Sequence, residues 1–489
     1  MLIDPKQALV KLKAAVLPAQ QPTAKSSQGA GFGRDQFVGT RRQGFVTMSD
    51  GHSALDKLPQ VATVVKAARE ADPTTLVFYG GDAVIGTPYY PAGQNGVADM
   101  QALDHLGVAS FVIGNHDLDG GYDNFVRLAK AANMPYTVAN WDIQGELASL
   151  TRKSTDPFTG ALTGQVEKQV QPYRVFTNPV TGLKTVAIGV SVDPKEYGML
   201  DPRITYRDPA ETLRTLIPQI KADPDLADAL IVVQTHLGAA DAEKLEKEFG
   251  DTVFFAAHDH TPIALPVLEH VNGELSAVTD TGGNYRSPGM YHADVSAGGK
   301  LEAFEGGLVP IDKTVPADAG MLEALKPVQA IVDRDYNTPL AELKAPILRA
   351  KLPDAGDSAM GNWIVDQVKA AADAHLAAQG LAPTDLALIN ATGIRTDFPT
   401  PGKLTAGDVY KVFPFDNSIT VVTLTADQLK AALDNAAKRA GDPIAGVTAD
   451  ISTEGASAIM VNGAPLGAQP TYRVATLDFM ANRAAPATR

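Results

Sequence analysis

The apolar run Val108-Ala109-Ser110-Phe111-Val112-Ile113 passes directly into Gly114-Asn115-His116-Asp117-Leu118-Asp119. Such a run predicts a strand buried on both faces, as in a parallel sheet. In open α/β sheets, chemistry gathers at the carboxyl ends of strands, where loops leave the core. Here that loop carries an amide, an imidazole and two carboxylates. Taken alone, the stretch fits a polar turn equally well, with Asp119 capping a helix that starts near Gly120. Its repetition along the chain decides the matter.

From Gly44 to about Asp294, strand-like and helix-like patterns alternate. Strands are predicted at Phe45–Met48, Leu76–Tyr79, Val108–Ile113, Tyr136–Ala139, Thr185–Val190, Leu230–Gln234 and Thr252–Ala256. Helices are predicted at Leu58–Ala71, Tyr122–Ala132 and Ala210–Ile220. This alternation defines an α/β domain. Several strands end in residue types that ligate metals: Asp50-Gly51-His52, Gly80-Gly81-Asp82, Asn115-His116, Gln234-Thr235-His236 and His258-Asp259-His260. Alternate residues of an extended chain point the same way, so Asp50 with His52, or His258 with His260, can face one site. Each element has a bland explanation as a turn or a hydrogen-bonded histidine. Five of the nine histidines at strand ends on one sheet edge argue for a shared metal site instead.

Composition narrows the chemistry. The chain has 489 residues and no cysteine, which removes disulfides, thiolate metal sites and cysteine nucleophiles. A net charge of −14 argues against a nucleic-acid polymer as partner. A small phosphate ester remains compatible, because bound cations reverse the local potential. No apolar run approaches the ~20 residues of a membrane span. Lys11 and Lys13 interrupt the apolar stretch Ala8–Leu17, so no secretory signal is visible, and Gly29–Gly33 reads as linker.

The patterning divides the chain into an amino-terminal extension (1–42), a first α/β domain (43–317), a linker helix (318–344) and a second, smaller α/β domain (345–489). In the last, a helix over Asn362–Gln379 precedes a strand over Leu386–Ile389. A strand over Ile419–Leu424 then enters a helix over Ala426–Ala440, with Thr425 and Gln428 spaced as a capping box and Gly441 as its stop.

The five strand-end motifs, in this order, resemble those of the calcineurin-like metallophosphoesterases. Within them the chain resembles the bacterial 5′-nucleotidase and UDP-sugar hydrolase family, over most of residues 43–480. Ala257 stands where that family usually has Gly. The resemblance implies a four-layer α/β/β/α metallophosphoesterase domain with two divalent metal ions, followed by a substrate-specificity domain. Asp50, His52, Asp82 and His260 would hold one ion, and Asp82, Asn115, His236 and His258 the other. Nitrogen and oxygen ligands suit Zn²⁺, Mn²⁺, Fe²⁺ or Co²⁺ alike. His116 would stabilise charge in the transition state, with Asp119 orienting its ring, while Asp117 reads as loop structure.

In the second domain, Asn390-Ala391-Thr392-Gly393-Ile394-Arg395, Phe413-Pro414-Phe415-Asp416-Asn417 and Asp478-Phe479 resemble the family's substrate motifs. They imply a nucleobase stacked between Phe415 and Phe479, worth roughly 1–3 kcal/mol. Asn390, Gly393, Arg395 and Asn417 complete the implied set. The chain departs from the family at Asn482-Arg483-Ala484-Ala485, where Gly-Gly-Asp-Gly usually supplies a ribose contact. It departs again before Asp357, where Lys351 is the nearest base in place of an arginine.

The reaction implied is release of phosphate from a nucleotide by in-line attack of a metal-bridging hydroxide. The missing ribose contact keeps alternatives open: a phosphodiesterase for 2′,3′-cyclic nucleotides or nucleotide sugars, or a thiosulfohydrolase-like enzyme. Outside enzymes, the alternative is a binding protein that keeps the fold without turnover. The family is mostly exported, so a periplasmic or extracellular location is the expectation by resemblance.

Overall fold

The computed structural model describes residues 41–199, 201–349, 358–398, 400–438 and 441–484. Most of the expected amino-terminal extension with its Gly29–Gly33 linker, the stretch from Lys351 to Asp357, and Ala485 lie outside the described residues. The chain divides into two compact units: one runs to Ala330 except for Gly86–Pro88, and those three residues belong with the other, from Ile331 onward. The division falls inside the helix Ala319–Asp335.

The first unit holds two large sheets. One has seven strands in the order Leu301–Leu308, Gly289–Val295, Arg41–Met48, Leu76–Tyr79, Ser110–Val112, Tyr136–Thr137, Val170–Gln171. The other has six, in the order Val267–Val271, Glu274–Asp280, Thr252–Ala257, Leu230–His236, Lys184–Ser191, Tyr173–Thr177. The strands leading to the candidate motifs pair in parallel within each sheet. Their residues are nearly all buried, which explains the unbroken apolar runs.

The inner faces of the sheets interlock: Phe45, Leu76 and Phe78 pack with Ala187, Val232 and Phe255. The Phe45 and Phe255 rings meet edge to face at 5.4 Å between centroids. On the outside of the second sheet, the helices Pro209–Ala222 and Ala239–Glu246 contribute Leu213, Ile217, Ala242 and Leu245. Outside the first, Phe125 of the helix Tyr122–Ala131 packs on Tyr136, whose hydroxyl reaches Met100 of the helix Val97–Leu106. The result is the expected four-layer α/β/β/α order.

The sheets approach closely at Gly189, where a Cβ would lie 2.1 Å from the Thr137 carbonyl oxygen. That approach also shortens one predicted strand. The run Tyr136–Ala139 is a strand only over Tyr136–Thr137, because the Ala139 amide turns to the Gly189 oxygen of the other sheet at 2.7 Å.

The second unit centres on a four-stranded sheet in the order Ile419–Thr425, Thr471–Leu477, Leu386–Leu388, Ile444–Ala445. Alternation along the strands divides its two cores. Ala387, Ala475 and Leu477 meet Ile364, Val365 and Val368 of the helix Ala359–Ala378. Leu386, Leu388, Tyr472 and Val474 meet Leu429 and Leu433 of the helix Ala426–Lys438. The capping box forms as expected: the Thr425 amide donates to Gln428 Oε1 at 2.9 Å and the Gln428 amide to Thr425 Oγ1 at 3.3 Å. Gly441 closes the helix with its amide on the Ala436 carbonyl. The strand Pro339–Leu343, in the stretch the sequence suggests as linker, pairs with Gly402–Thr405 of this unit. Among the described residues no helix is long and apolar enough to cross a membrane.

One buried group makes the first unit sensitive to pH. Asp99, in the first turn of the helix Val97–Leu106, is fully buried, and burial pushes its carboxyl up to about 8 despite the nearby Ser53. An unfolded chain ionises Asp at ~3.9, so this group destabilises the fold progressively as pH rises from there towards its folded value. Asp99→Asn is therefore expected to gain stability relative to wild type between about pH 5 and about pH 8. Thermal unfolding in chelator across that range checks it, and a difference independent of pH would contradict the assignment.

Candidate metal centre

Five segments at the carboxyl ends of strands from both sheets converge, and three of them have unusual backbones. Asp50, His52, Asp82, His258 and His260 all have positive φ, at 48°, 47°, 55°, 100° and 57°. Non-glycine residues rarely occupy this region, and strain of this kind clusters at functional sites. Tight packing holds it in place. The Asp50 amide donates to the Gly81 oxygen and the His52 amide to the Asp82 oxygen, at 2.8 and 3.1 Å. The His258 amide donates to Asp50 Oδ1 and Oδ2 at 3.2 and 3.1 Å. Gly51 has no room for a side chain, since a Cβ there would come within 2.2 Å of the Tyr285 ring.

Two groups of candidate ligands result. Asp50, His52 and His260 form one, and Asp82, His236 and His258 the other, with the potential ligand atoms of each group within 4.8 Å of one another. Asn115 joins the second, its Oδ1 3.2 Å from His236 Nε2. All seven residues expected as ligands are thus brought together.

The donor chemistry suits cations. His52 Nδ1 faces the Ile85 carbonyl at 3.1 Å and His236 Nδ1 the Gly80 carbonyl at 2.8 Å. Those nitrogens must carry the protons, so each neutral ring turns a bare Nε2 inward. The inward groups are then acceptors facing acceptors: His52 Nε2 lies 2.9 Å from His260 Nε2, and His236 Nε2 lies 3.1 Å from Asp82 Oδ2 and 3.3 Å from His258 Nδ1. Asp82 Oδ2 is buried and accepts no aligned hydrogen bond. Only protons or metal ions can reconcile such a set.

Protons do so where no metal is bound. Burial alone would strip the proton from His236, but Asp82 and Asp50 outweigh it and raise the ring to about 10. Burial pushes Asp82 up in turn, yet His236, His116 and His52 together hold it well below the usual carboxylate range. Asp50 is pushed up to about 7, chiefly by burial, and His258 is pushed down to about 4 by burial and by the neighbouring charge of His236.

His116 and Asp119 stand at the rim. His116 Nδ1 is 2.6 Å from Asp119 Oδ2, its amide donates to Asp82 Oδ1 at 2.7 Å, and its ring lies 5.1 Å from that of His52. Asp119 therefore does not cap the following helix, whose N-cap is Gly121. Asp117 is loop structure, as expected: its carboxylate accepts the amides of Asp82, Ala83 and Gly114 at 2.9–3.0 Å.

Sequence reasoning did not single out the tyrosines around this centre. The Tyr79 hydroxyl receives the Gly51 amide at 3.0 Å and meets the Tyr285 hydroxyl at 3.2 Å. Tyr197 reaches His258 Nε2 at 2.8 Å. None stands in a strand-end His or Asp motif, so only the fold reveals them.

In the second unit, a 3₁₀ turn over Ala391–Gly393 follows Asn390 and precedes Arg395, whose amide is held by the Val412 carbonyl at 2.8 Å. The Arg395 guanidinium lies 6.0 Å from the Phe415 ring centre. Ser418 and Asp478 are locked together, the Ser418 amide on Asp478 Oδ1 at 3.1 Å and the Asp478 amide on the Ser418 oxygen at 2.9 Å. This joins the loop carrying Phe415 and Asn417 to the segment carrying Phe479. Phe413 packs against the core, whereas Phe415 and Phe479 are half-buried outside it. Gly393 lies against Asn390 and the Phe413 ring. Arg349, also not singled out, enters the same turn through Asp397 and the Ile394 carbonyl.

Fold and site together define a two-unit α/β chain whose first unit carries a candidate metal centre. Residues 340–485 match the family model described as 5′-nucleotidase, C-terminal domain. The chain is 24% identical to Endonuclease YhcR of Bacillus subtilis over 88% of its own length, but spans only 35% of that protein. It is 25% identical to Protein UshA of Yersinia enterocolitica, covering 86% of this chain and 80% of the relative. The crystal structure of a 5′-nucleotidase precursor from Thermus thermophilus superposes with a TM-score of 0.73 at 23% identity, covering 90% of each chain. Residues 340–485 thus match the 5′-nucleotidase carboxy-terminal family, and the chain as a whole shares the fold of the Thermus thermophilus structure.

Because His236 and Asp50 both hold protons more tightly than usual, metal uptake must displace them. The apparent affinity for Mn²⁺ is expected to rise from about pH 6 to about pH 9, with proton release on binding. Calorimetric titration in buffers of different ionisation enthalpy measures both, and an affinity flat across that range would contradict the ligand assignment.

Proposed function

We propose that the chain is a two-metal phosphoester hydrolase that releases phosphate from nucleotides. The observation carrying this reading is the convergence of acceptor-only groups at the two triplets, with His116 and Asp119 beside them. Asp50, His52, Asp82 and His260 hold one divalent ion, and Asp82, Asn115, His236 and His258 a second, with Asp82 common to both. When bound, such ions neutralise phosphoryl charge and acidify a water for in-line attack.

The chain's own residues supply the rest. A carboxylate on Nδ1 stabilises positive charge on the His116 ring and fixes its orientation, so that Nε2 donates a proton or hydrogen bond to the phosphoryl and leaving-group oxygens. The Asp82 carboxylate anchors the His116 backbone to the metal centre. In the second unit, Phe415 and Phe479 offer ring faces to a nucleobase, Arg395 binds an acidic or polar substrate group, and Asn390, Gly393 and Asn417 shape that turn. Stacking discriminates little among bases, which suits a broad nucleotide range.

Phosphate release is the direct test, with Mn²⁺ or with chelator. The substrates are nucleoside monophosphates, cyclic nucleotides, nucleotide sugars and an aryl phosphate. Chelator-sensitive turnover of nucleotides is expected; metal uptake without turnover of any of these would overturn the reading. His116→Ala should lower kcat by on the order of 10²–10⁴ while leaving metal content unchanged.

A further inference from the structure

Tyr197 ends the 3₁₀ turn Pro194–Tyr197, which follows the strand Lys184–Ser191. Asp193 caps that turn by accepting the Lys195 amide at 3.0 Å, and Gly198 closes it in the left-handed region at φ 88°. The Val192 amide donates to the His236 carbonyl at 3.2 Å, so the turn is tied to the strand that carries a candidate ligand. From this anchored position the Tyr197 hydroxyl lies 2.8 Å from His258 Nε2, with the two rings edge to face at 5.2 Å and 87°.

The ring of His258 is held differently from those of His52 and His236. His52 and His236 each lodge the outer nitrogen against a backbone carbonyl, which fixes the tautomer. His258 points Nδ1 inward, 3.3 Å from His236 Nε2, and its outer nitrogen meets a phenol oxygen instead. A neutral imidazole has one N–H. For Nδ1 to offer a lone pair, that proton must reside on Nε2, where it needs an acceptor.

We infer that Tyr197 is a positioning residue for the ion at Asp82, Asn115, His236 and His258: its hydroxyl oxygen accepts the Nε2 proton of His258 and holds the Nδ1 lone pair towards the site. This inference rests on the two-metal reading above. Unlike the carbonyls behind the other two rings, this acceptor is a side-chain atom and can be deleted without moving backbone. Tyr197→Phe removes the oxygen and keeps the ring contact.

The test is Mn²⁺ titration of the metal-stripped full chain by calorimetry, for wild type, Tyr197→Phe and Tyr197→Gln, with the thermal unfolding of each metal-free protein. Tyr197→Phe is expected to weaken one of two binding steps by about 10–100-fold and leave the other unchanged. Its metal-free unfolding temperature should match wild type, and Tyr197→Gln, which restores an acceptor, should recover part of the affinity. Two unchanged steps in Tyr197→Phe would overturn the role of Tyr197 alone. Equal weakening of both steps with a lower metal-free unfolding temperature would also overturn it, in favour of a purely structural contact. A wild-type chain that takes up no Mn²⁺ would overturn the two-metal reading and this inference with it.

Discussion

Acceptor groups brought face to face at the edge of two packed sheets are the constraint on which the rest of the first unit depends. Two histidines donate their outer N–H groups to backbone carbonyls and turn Nε2 inward, onto carboxylate and amide oxygens and onto other imidazoles. Such an arrangement is unfavourable without a cation, and it exists only because the surrounding backbone is over-determined. Left-handed turns at Asp50, Asp82 and His258, amides donated to neighbouring loops, and the three-amide clamp of Asp117 all serve to hold it. Close packing of the two sheets, as at Gly189, sets the distance between the loops that must meet.

The second unit follows a different logic. Its sheet packs one helix against each face, with a separate apolar core on either side. Its proposed substrate residues lie on a turn and two strand ends: Arg395 beside Phe415, and the Ser418–Asp478 pair that joins the Phe415 loop to the Phe479 segment. Phe415 and Phe479 are half-buried outside both cores, whereas Phe413 packs against one of them.

Much of this was legible in the sequence, for a physical reason. Buried parallel strands leave long apolar runs, and Leu76–Tyr79 and Leu58–Ala71 emerge with the expected bounds. Ligand types placed at strand ends stand out in the sequence, and the family resemblance implied which of them to expect as ligands: Asp50, His52, Asp82, Asn115, His236, His258 and His260. What stayed hidden depends on contacts between distant segments. Tyr197, Tyr79 and Tyr285 act through hydroxyls on side chains that read as ordinary core or turn aromatics. The early end of the strand at Thr137 follows from a hydrogen bond to the opposite sheet. Asp119 has the spacing of a helix cap, and only its 2.6 Å contact with His116 shows otherwise.

The central claim is that this acceptor cluster is built for two cations. Anomalous diffraction from crystals of the full chain grown with Mn²⁺ measures that directly. The account predicts two separate Mn²⁺ peaks, one against Asp50, His52 and His260 and one against Asn115, His236 and His258, with Asp82 touching both. A single peak, or Mn²⁺ only at surface carboxylates while His236 keeps its proton on Asp82, would contradict it.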